Sequence, residues 1–337
     1  MNKKIQVFLS IIMMILFIDN SFAQTKLAQT GLKFLSVSAD ARASALGDAI
    51  TSIEGNSSSM FYNTAGMARQ TNLIDATFNM TQWIADINYM HASAAFAPYE
   101  GQYGVFGLSV ASVDYGTFYR TVRSSGEESF INLGTYSPKA MSIGVGYAKA
   151  LSDKFAVGGN IRYVYQDLGS GHAVGLTETA GVYQEKSFEI NVLAFDFGIL
   201  YHTGFKSLNF GMSLRNFSQE IEYVEESFQL PLTFKIGLSM NMLDLLEVPK
   251  EEHAFLLTID AEHPRDYKEQ LHIGGEYTFY DLLSLRLGYV TPTDEQGINA
   301  GVGVHHEVVG FTLGVDYAYL DFGVFDNVQR FSINISY

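Results

Sequence analysis

The chain has 337 residues, and its 21 Lys and Arg against 36 Asp and Glu give a formal net charge of −15. This acidic balance excludes a nucleic-acid-binding protein that neutralises phosphates, and the absence of Cys excludes disulfide scaffolds, thiolate nucleophiles and Cys-ligated metals. Charged residues are only 17% of the chain, whereas 31 Gly, 25 Phe and 20 Tyr are present, a composition that is not typical of a soluble α/β enzyme.

Residues 1–23 are predicted to be a secretory signal peptide. Lys3 and Lys4 precede a mostly apolar run from Ile5 to Ile18, and residues 21–23 (SFA) place small residues before a cleavage point. The apolar run is shorter than the roughly 20 residues that a spanning helix needs, so a cleaved signal is favoured over a membrane anchor. We therefore expect an exported protein.

From about residue 71 onward, apolar and polar residues alternate with period two. Residues 331–337 (FSINISY) and 283–289 (LSLRLGY) show the pattern clearly. In a soluble sandwich the apolar face would form the core, whereas in a membrane barrel it would face lipid and the other face would line the interior. The second face is dominated by Gly, Ala, Ser and Asn with few charges, which favours the barrel.

The pattern predicts fourteen strands, an even number as in single-chain outer-membrane barrels. The connections alternate between long and short, which fits long external loops and short periplasmic turns. The gap at 242–252 is long for a turn and is predicted to hold a short helix. The predicted strands are 71–80, 83–97, 102–113, 139–150, 154–165, 190–203, 207–216, 232–241, 253–262, 270–279, 283–290, 297–306, 309–319 and 327–337.

Aromatic residues at the predicted strand ends support a membrane barrel, because interfacial girdles of such barrels are aromatic. The chain also stops on an aromatic residue, Tyr337, which resembles the C-terminal signature of bacterial outer-membrane barrels. The girdle residues we predict are Tyr89, Tyr147, Tyr201, Tyr289 and Tyr319.

Residues 24–70 do not alternate, and residues 39–50 are rich in helix-favouring Ala and Leu. A lumen bounded by fourteen strands is wide enough to need a filling. We therefore expect an N-terminal plug at 24–70, followed by the barrel at 71–337. The predicted fold is all-β: a 14-stranded antiparallel transmembrane β-barrel with an N-terminal plug segment.

Two stretches of the N-terminal region carry a family resemblance. Residues 41–49 (ARASALGDA) and 62–67 (YNTAGM) resemble the start of PorV/PorQ family proteins, which belong to the wider FadL-like group of fourteen-stranded outer-membrane barrels. Residues 314–323 (GVDYAYLDFG) and 329–332 (QRFS) are similar to the last hairpin of that family. The resemblance therefore extends over the whole mature chain.

The candidate plug motif is Asn63, Thr64, Ala65 and Gly66. The group usually has Asn-Pro-Ala here, and in this chain Thr64 replaces the Pro. Because proline restricts the backbone, that change loosens the turn and weakens the case for a gated plug.

The resemblance implies an outer-membrane barrel of the type IX protein secretion system. Such a protein would contact the translocon, or the C-terminal domains of cargo, through its external loops and barrel wall. The FadL-like group implies an alternative, transport of long hydrophobic small molecules across the outer membrane, although the small polar luminal residues argue mildly against a greasy pocket. A structural role without transport is a third hypothesis. Outer-membrane lipid is an expected partner in each case, and nucleic acid is not.

The long predicted loop at 114–138 is the candidate partner-binding surface, because aromatic residues and Arg concentrate interface energy. An alternative is that this loop folds inward over the barrel mouth, and the sequence favours neither. The candidate residues are Tyr115, Phe118, Tyr119, Arg120, Arg123 and Phe130.

No catalytic residue, cofactor or metal is predicted. The most metal-like string is His305-His306-Glu307, but neighbouring residues of a strand point to opposite faces, so the two imidazoles would not share an ion. Gly-x-Gly pairs at 144/146 and 301/303 lie within alternating strands rather than at strand-to-helix turns. We expect these glycines to be small interior positions that pack against the plug.

Overall fold

A computed structural model describes the chain at residues 30–123, 130–173, 184–222, 226–246 and 252–337. Within these ranges the chain forms a closed antiparallel β-barrel of fourteen strands, as the alternation predicts. In the same ranges, no helix has the length and apolar character needed to cross a membrane. The predicted signal peptide lies outside the described residues.

Each barrel strand pairs with the next barrel strand along the chain, and the first pairs with the last to close the ring. Two further pairs, β4 with β5 and β10 with β11, are separate two-stranded hairpins in the connections. In chain order the strands are β1 (Ile74–Gln82), β2 (Asn88–Phe96), β3 (Val105–Asp114), β4 (Phe118–Arg123), β5 (Phe130–Tyr136), β6 (Lys139–Ala150), β7 (Phe155–Ala173), β8 (Gln184–His202), β9 (Asn209–Phe217), β10 (Ile221–Glu222), β11 (Ser227–Phe228), β12 (Thr233–Asn241), β13 (His253–Pro264), β14 (Gln270–Phe279), β15 (Leu283–Thr291), β16 (Ile298–Val308), β17 (Phe311–Leu320) and β18 (Val328–Ser336).

The two faces of the wall have opposite chemistry, as the period-two pattern predicts. On β18, Phe331 and Ile333 are 52% and 48% exposed, whereas Ser332 between them is 3% exposed. Successive side chains of a strand point to opposite faces, so the apolar residues form the outer surface and the small polar residues line the interior. An exposed apolar outer wall of this kind is the surface that a barrel presents to lipid.

The two ends of the barrel differ in their connections. The connections after β3, β7 and β9 are long, whereas those after β6, β14 and β16 are short turns. Because outer-membrane barrels place short turns in the periplasm, we call the short-turn end, which also holds Tyr337, the periplasmic end and the other the external end. The predicted short helix at 242–252 is present as a 3₁₀ helix at Met242–Leu245.

The α-helical content of the N-terminal region is smaller than its composition suggests. The one α-helix of the described residues, α1 (Ala41–Ala45), spans five residues. It ends where Gly47 and Asp48 take positive φ values of 65° and 60°. Two 3₁₀ helices, of five and four residues, follow at Ser57–Phe61 and Thr64–Met67.

Most predicted strand ends lie within about three residues of the observed ones, and three differ by more. The second barrel strand begins at Asn88 rather than 83, because Ala85 and Asp86 adopt positive φ in the preceding loop. Strands β7 and β8 continue to Ala173 and from Gln184, past the predicted limits, because they pair with each other beyond the wall.

The predicted girdle is correct for four of its five tyrosines. Tyr147, Tyr201, Tyr289 and Tyr319 are 38–48% exposed on the outer wall. The prediction is wrong for Tyr89, which is 4% exposed and belongs to an interior cluster of buried apolar residues. Tyr89 occupies an inward-facing position of β2. An aromatic residue near a strand end therefore does not by itself predict a girdle position.

Candidate functional site

Residues 30–72 bond to inward-facing residues of strands on different sides of the barrel. The backbone N–H of Ala41 donates to Ser332 Oγ on β18 over 2.8 Å. The N–H of Thr51 donates to Asp260 Oδ2 on β13 over 2.9 Å. Because both contacts are buried, these polar strand residues find their partners in the N-terminal segment rather than in solvent. We call residues 30–72 the N-terminal segment.

Asn63 organises the turn at the candidate plug motif. Its Oδ1 accepts a hydrogen bond from the N–H of Ala65 at 3.2 Å and so caps the 3₁₀ helix Thr64–Met67. Its Nδ2 donates to the carbonyl oxygens of Thr51, at 2.7 Å, and of Ile199 on β8, at 3.0 Å. One amide side chain therefore ties the turn to the segment and to the wall.

The rest of the motif is equally enclosed. The N–H of Gly66 donates to the carbonyl of Asn63 at 2.9 Å, and the carbonyl of Gly66 accepts from the N–H of Gly55 at 3.2 Å. Thr64 is 3% exposed. Hydrogen bonds therefore stabilise this turn, in which Thr64 occupies the position that is usually proline in the FadL-like group.

Glycines of the strands let the segment come this close. A Cβ at Gly158 on β7 would overlap the backbone nitrogen of Ala65, and a Cβ at Gly198 on β8 would overlap Asn63 Oδ1. The backbone of the motif therefore packs directly on the backbone of the wall, which any larger residue would prevent.

The two Gly-x-Gly pairs divide between two environments. A Cβ at Gly146 would meet Met60, and one at Gly301 would meet Ala45, so these positions pack against the N-terminal segment as predicted. The other member of each pair differs, because Gly144 and Gly303 make room for inward side chains of neighbouring strands.

A chain of ion pairs, which the sequence prediction missed, links the segment to the wall. Arg42 of α1 forms a bidentate pair with Glu276 on β14, with Nη2–Oε1 2.7 Å and Nε–Oε2 2.9 Å. Glu276 also pairs with Arg286, which pairs with Asp316 on β17. Asp316 is in turn 3.2 Å from His305 Nε2. Five ionisable groups thus form one interior network.

Two further pairs of buried charges lie within the barrel. Arg162 Nη2 lies 2.8 Å from Asp196 Oδ1, and Lys235 Nζ lies 2.7 Å from Glu262 Oε2. The prediction of a luminal face with few charges is therefore wrong. The signal was available, since a charged residue at the inward phase of an alternating strand must be buried, and buried charges require partners.

The six candidate partner-binding residues occupy two environments at the external end. Phe118, Tyr119 and Phe130 belong to the β4–β5 hairpin and are 47%, 76% and 56% exposed. Tyr115, by contrast, packs half-buried against the interior cluster at the barrel mouth. The predicted loop is thus a hairpin with exposed aromatic residues and a base that turns inward.

The two arginines of this set lie on the same hairpin. The guanidinium carbon of Arg120 lies 5.5 Å from the ring centroid of Tyr136, across the pair of strands. Arg123 is the last residue of β4. Cation–π stacking of Arg120 stiffens the hairpin and leaves its charge next to the exposed rings.

The adjacent histidines face opposite ways, as predicted. His305 contacts Asp316 inside the barrel, whereas His306 is exposed. Among the residues that the structure describes, no group of three or more His, Asp or Glu side chains has the arrangement of a metal site.

At the external mouth, a polar cavity of about 570 Å³ lies above the N-terminal segment. It is lined by charges of both signs, among them Lys33, Arg215 and Asp266. Lys33 Nζ donates to Asp266 Oδ2 at 2.6 Å, and Thr30 Oγ1 donates to the same oxygen. Burial would raise the pKa of Asp266, but the hydrogen bonds from Lys33 and Thr30, with the charge of Lys33, hold that pKa below its usual value.

The sequence of the barrel identifies the family of the chain. The family described as type IX secretion system membrane protein PorP/SprF matches residues 129–337, which is more than half of the chain. The chain belongs to the PorP/SprF family. The PorV/PorQ subgroup expected from the N-terminal and C-terminal motifs is therefore corrected, while the association with type IX secretion stands at the level of the family. The motifs behind that expectation are short, and residues 41–67 lie outside the matched range.

Solved structures with a similar fold are FadL-like barrels. The Pseudomonas putida toluene transporter TodX aligns with a TM-score of 0.57 at 10% identity, over 93% of this chain and 99% of its own. The Ralstonia pickettii toluene transporter TbuX gives 0.53 at 10% identity, over 88% and 96% of the two chains. A Pseudomonas aeruginosa FadL homologue gives 0.53 at 10% identity, over 94% and 99%.

At such identities the likeness concerns the fold. Among curated proteins, none matches this chain significantly in sequence. The family is thus one of type IX secretion system membrane proteins, and the fold is that of a fourteen-stranded antiparallel barrel.

Proposed function

We propose that this protein is an outer-membrane component of the type IX secretion system that contacts the translocon, or the C-terminal domains of cargo, through its external loops and barrel wall. The observation that carries the proposal is membership of the PorP/SprF family over residues 129–337. The outer wall of exposed apolar side chains supports a place in the outer membrane. Export through a cleaved signal peptide at 1–23 is part of the proposal.

In this proposal the N-terminal segment acts as a plug, so that the protein serves as a binding partner rather than an open channel. The proposed division keeps the bounds predicted from the sequence, 24–70 for the plug and 71–337 for the barrel, and the described part of the plug begins at residue 30. Ion pairs such as Arg42–Glu276, and the hydrogen bonds of Asn63, would keep the plug in place while the outer surface engages its partner.

The contact surface we favour is the β4–β5 hairpin, with the candidate set named above. Phe118, Tyr119 and Phe130 are large aromatic side chains held in a pair of strands outside the wall. Exposed aromatic side chains of this kind are typical of protein interfaces, where they supply much of the binding energy. The neighbouring Arg120 and Arg123 add the residue type that most often accompanies them.

Affinity purification from the native outer membrane tests whether the protein belongs to the secretion system and whether it contacts the translocon or cargo. The tagged protein is extracted in mild detergent, and mass spectrometry identifies the proteins that accompany it. We expect a secretion translocon protein, or secreted proteins that share a C-terminal domain. Recovery of the barrel without either would contradict the secretion role.

A triple substitution, Phe118→Ser, Tyr119→Ser and Phe130→Ser, tests the hairpin. We expect it to abolish partner recovery while the barrel keeps its heat-modifiable migration in gels. The matched control replaces three exposed aromatic residues of the periplasmic turns, Tyr99, Tyr103 and Phe205, with Ser. Equal partner recovery from the two triple variants would exclude the hairpin as the contact surface and leave the family-level proposal intact.

The second candidate function is transport of long hydrophobic small molecules, as in the alternative drawn from the FadL-like group. The shared fold supports it, but the interior carries paired charges such as Arg162–Asp196, which suit a hydrophobic passage poorly. Uptake of a labelled long-chain fatty acid by vesicles that contain the purified protein would favour this candidate.

A further inference from the structure

A second cavity at the external mouth, of about 440 Å³, has a chemistry that the secretion role does not explain. It lies between the N-terminal segment and the strand ends of β2, β17 and β18. Five of its lining residues are aromatic, and one is a buried guanidinium, that of Arg330 on β18. The aromatic lining residues are Phe34, Trp83, Tyr89, Tyr115 and Phe322.

The guanidinium of Arg330 is the unusual feature of this cavity. The residue is 1% exposed, and its Nε and Nη1 atoms are buried with no hydrogen-bond partner in the described part of the chain. Its Cζ lies 5.4 Å from the ring of Trp83. Within the described residues, no carboxylate lies in ion-pair range of Arg330, whereas Arg42, Arg162 and Arg286 each have one.

The other charged groups of the cavity have partners of their own. Lys33 is paired with Asp266, and Asp48 accepts a hydrogen bond from Ser38 Oγ. The negative charge of Asp48 favours the charged form of Arg330 electrostatically, but the two side chains do not form an ion pair. The unmet donors of the cavity therefore belong to Arg330, and a buried cation without a hydrogen-bonded anion is costly.

We propose that this cavity is a binding site for a small organic anion with a flat apolar body. The carboxylate of the ligand would accept hydrogen bonds from the Arg330 guanidinium, whose planar array of donors matches a carboxylate, after a shift of the side chain that uncovers Nε and Nη1. The aromatic side chains would pack on the apolar body of the ligand. The rings of Trp83 and Phe322 already form an edge-to-face pair, with their centroids 5.0 Å apart. The size of the cavity suits a small molecule rather than a polymer.

This inference goes beyond the secretion role and does not depend on it. It also differs from hydrophobic transport, because the negative charge of the ligand decides recognition. A neutral ligand of equal shape would leave the buried donors of Arg330 unsatisfied, so the site should discriminate strongly against it.

Trp83, the single tryptophan of the chain, reports directly on this cavity. The purified full chain in detergent is titrated with 3-phenylpropionate while tryptophan fluorescence is recorded, and calorimetry provides an independent isotherm. We expect saturable binding of 3-phenylpropionate, and binding of the neutral 3-phenylpropanamide at least about tenfold weaker. Equal affinity for acid and amide would overturn the proposal. An equal response to sulfate alone would overturn the role of the aromatic walls.

The variant Arg330→Met removes the guanidinium and keeps a side chain of similar length. We expect it to weaken binding of 3-phenylpropionate at least about tenfold and to leave binding of the amide unchanged. The matched control is Arg69→Met, because Arg69 pairs with Glu54 and contacts the 151–154 turn at the periplasmic end. Unchanged binding by the Arg330 variant would refute the site.

Thermal unfolding separates a binding role from a structural one. Because Arg330 lacks an ion-pair partner among the described residues, its replacement by Met should leave the melting temperature unchanged or raise it. A lower melting temperature together with equal loss of acid and amide binding would assign Arg330 a structural role instead. The acid–amide comparison on the unaltered protein holds even if the variant does not fold.

Discussion

Arg42 and Glu276 lie 234 positions apart in the sequence and form a bidentate ion pair inside the barrel. Arg42 belongs to α1 and Glu276 to β14, so the pair joins the N-terminal segment to the middle of the wall. Glu276 is also bonded to Arg286, which places one carboxylate between two cations. That asymmetry decides which substitution is the more damaging.

Replacing the shared carboxylate should cost more than replacing one of its cations. Glu276→Gln leaves both guanidinium groups without their common partner, and we expect a loss of about 3–5 kcal/mol in the free energy of unfolding. Arg42→Met leaves Glu276 paired with Arg286, so a loss of about 1–3 kcal/mol is expected. Urea unfolding in detergent measures both. Equal losses would mean that Arg286 does not stabilise the carboxylate.

The glycines next to the plug motif should resist even the smallest enlargement. Gly158→Ala forces the added methyl group against the backbone of Ala65, and we expect a loss of about 1–3 kcal/mol with displacement of the motif. The control is Gly275→Ala, where the nearest atom to the new Cβ is a ring carbon of Phe255 at 3.5 Å, an ordinary contact. Protease cleavage within residues 30–72 should accelerate in the first variant alone.

Introducing proline at position 64 should stabilise the turn. Thr64 is the first residue of a 3₁₀ helix, a position that proline favours, and Asn63 before it has the extended φ and ψ of −140° and 100°. The backbone N–H of Thr64 donates no hydrogen bond within the described residues, so replacement by proline removes no hydrogen bond. We expect Thr64→Pro to raise the free energy of unfolding by about 0.5–1 kcal/mol. A fall in thermal stability would show that the proline ring does not fit against Gly158.

The contacts of Asp266 should be sensitive to acid. Its pKa is lowered in the folded state, so its contribution is present above the unfolded pKa of about 3.9 and is lost as the pH falls through the folded value. Hydrogen exchange of residues 30–36, corrected for intrinsic rates, should stay slow from neutral pH to about pH 5 and rise below about pH 4. Asp266→Asn should show the fast exchange already at neutral pH. Slow exchange in that variant would assign the anchoring of this stretch to other contacts.

The wall of the barrel could be predicted well from the sequence. A strand that faces lipid on one side and a packed interior on the other has to alternate, so residues such as Phe331 and Ser332 identify its two faces. Boundaries were wrong where a local backbone conformation intervened, as at Ala85, or where two strands pair beyond the wall, as β7 and β8 do.

The interior could not be predicted to the same depth. Which inward charge meets which depends on the register of all the strands and on the path of the N-terminal segment, so Arg42 and Glu276 carry no local signal of their pairing. The aromatic residues show the same limit, because Tyr89 and Tyr147 are alike in type and only the phase of their strands separates an inward from an outward ring.

The seam between β1 and β18 is where the two ends of the barrel chain meet. Asp75 pairs with Ser336, so the ring has no closing partner until the last residues of the chain exist. The N-terminal segment bonds to both sides of this seam, through Ser57 to Asp75 and through Ala41 to Ser332. The N-terminal segment therefore joins the first and last strands of the wall from the inside, so loss of these two contacts would weaken the closure of the ring as well as the attachment of the segment.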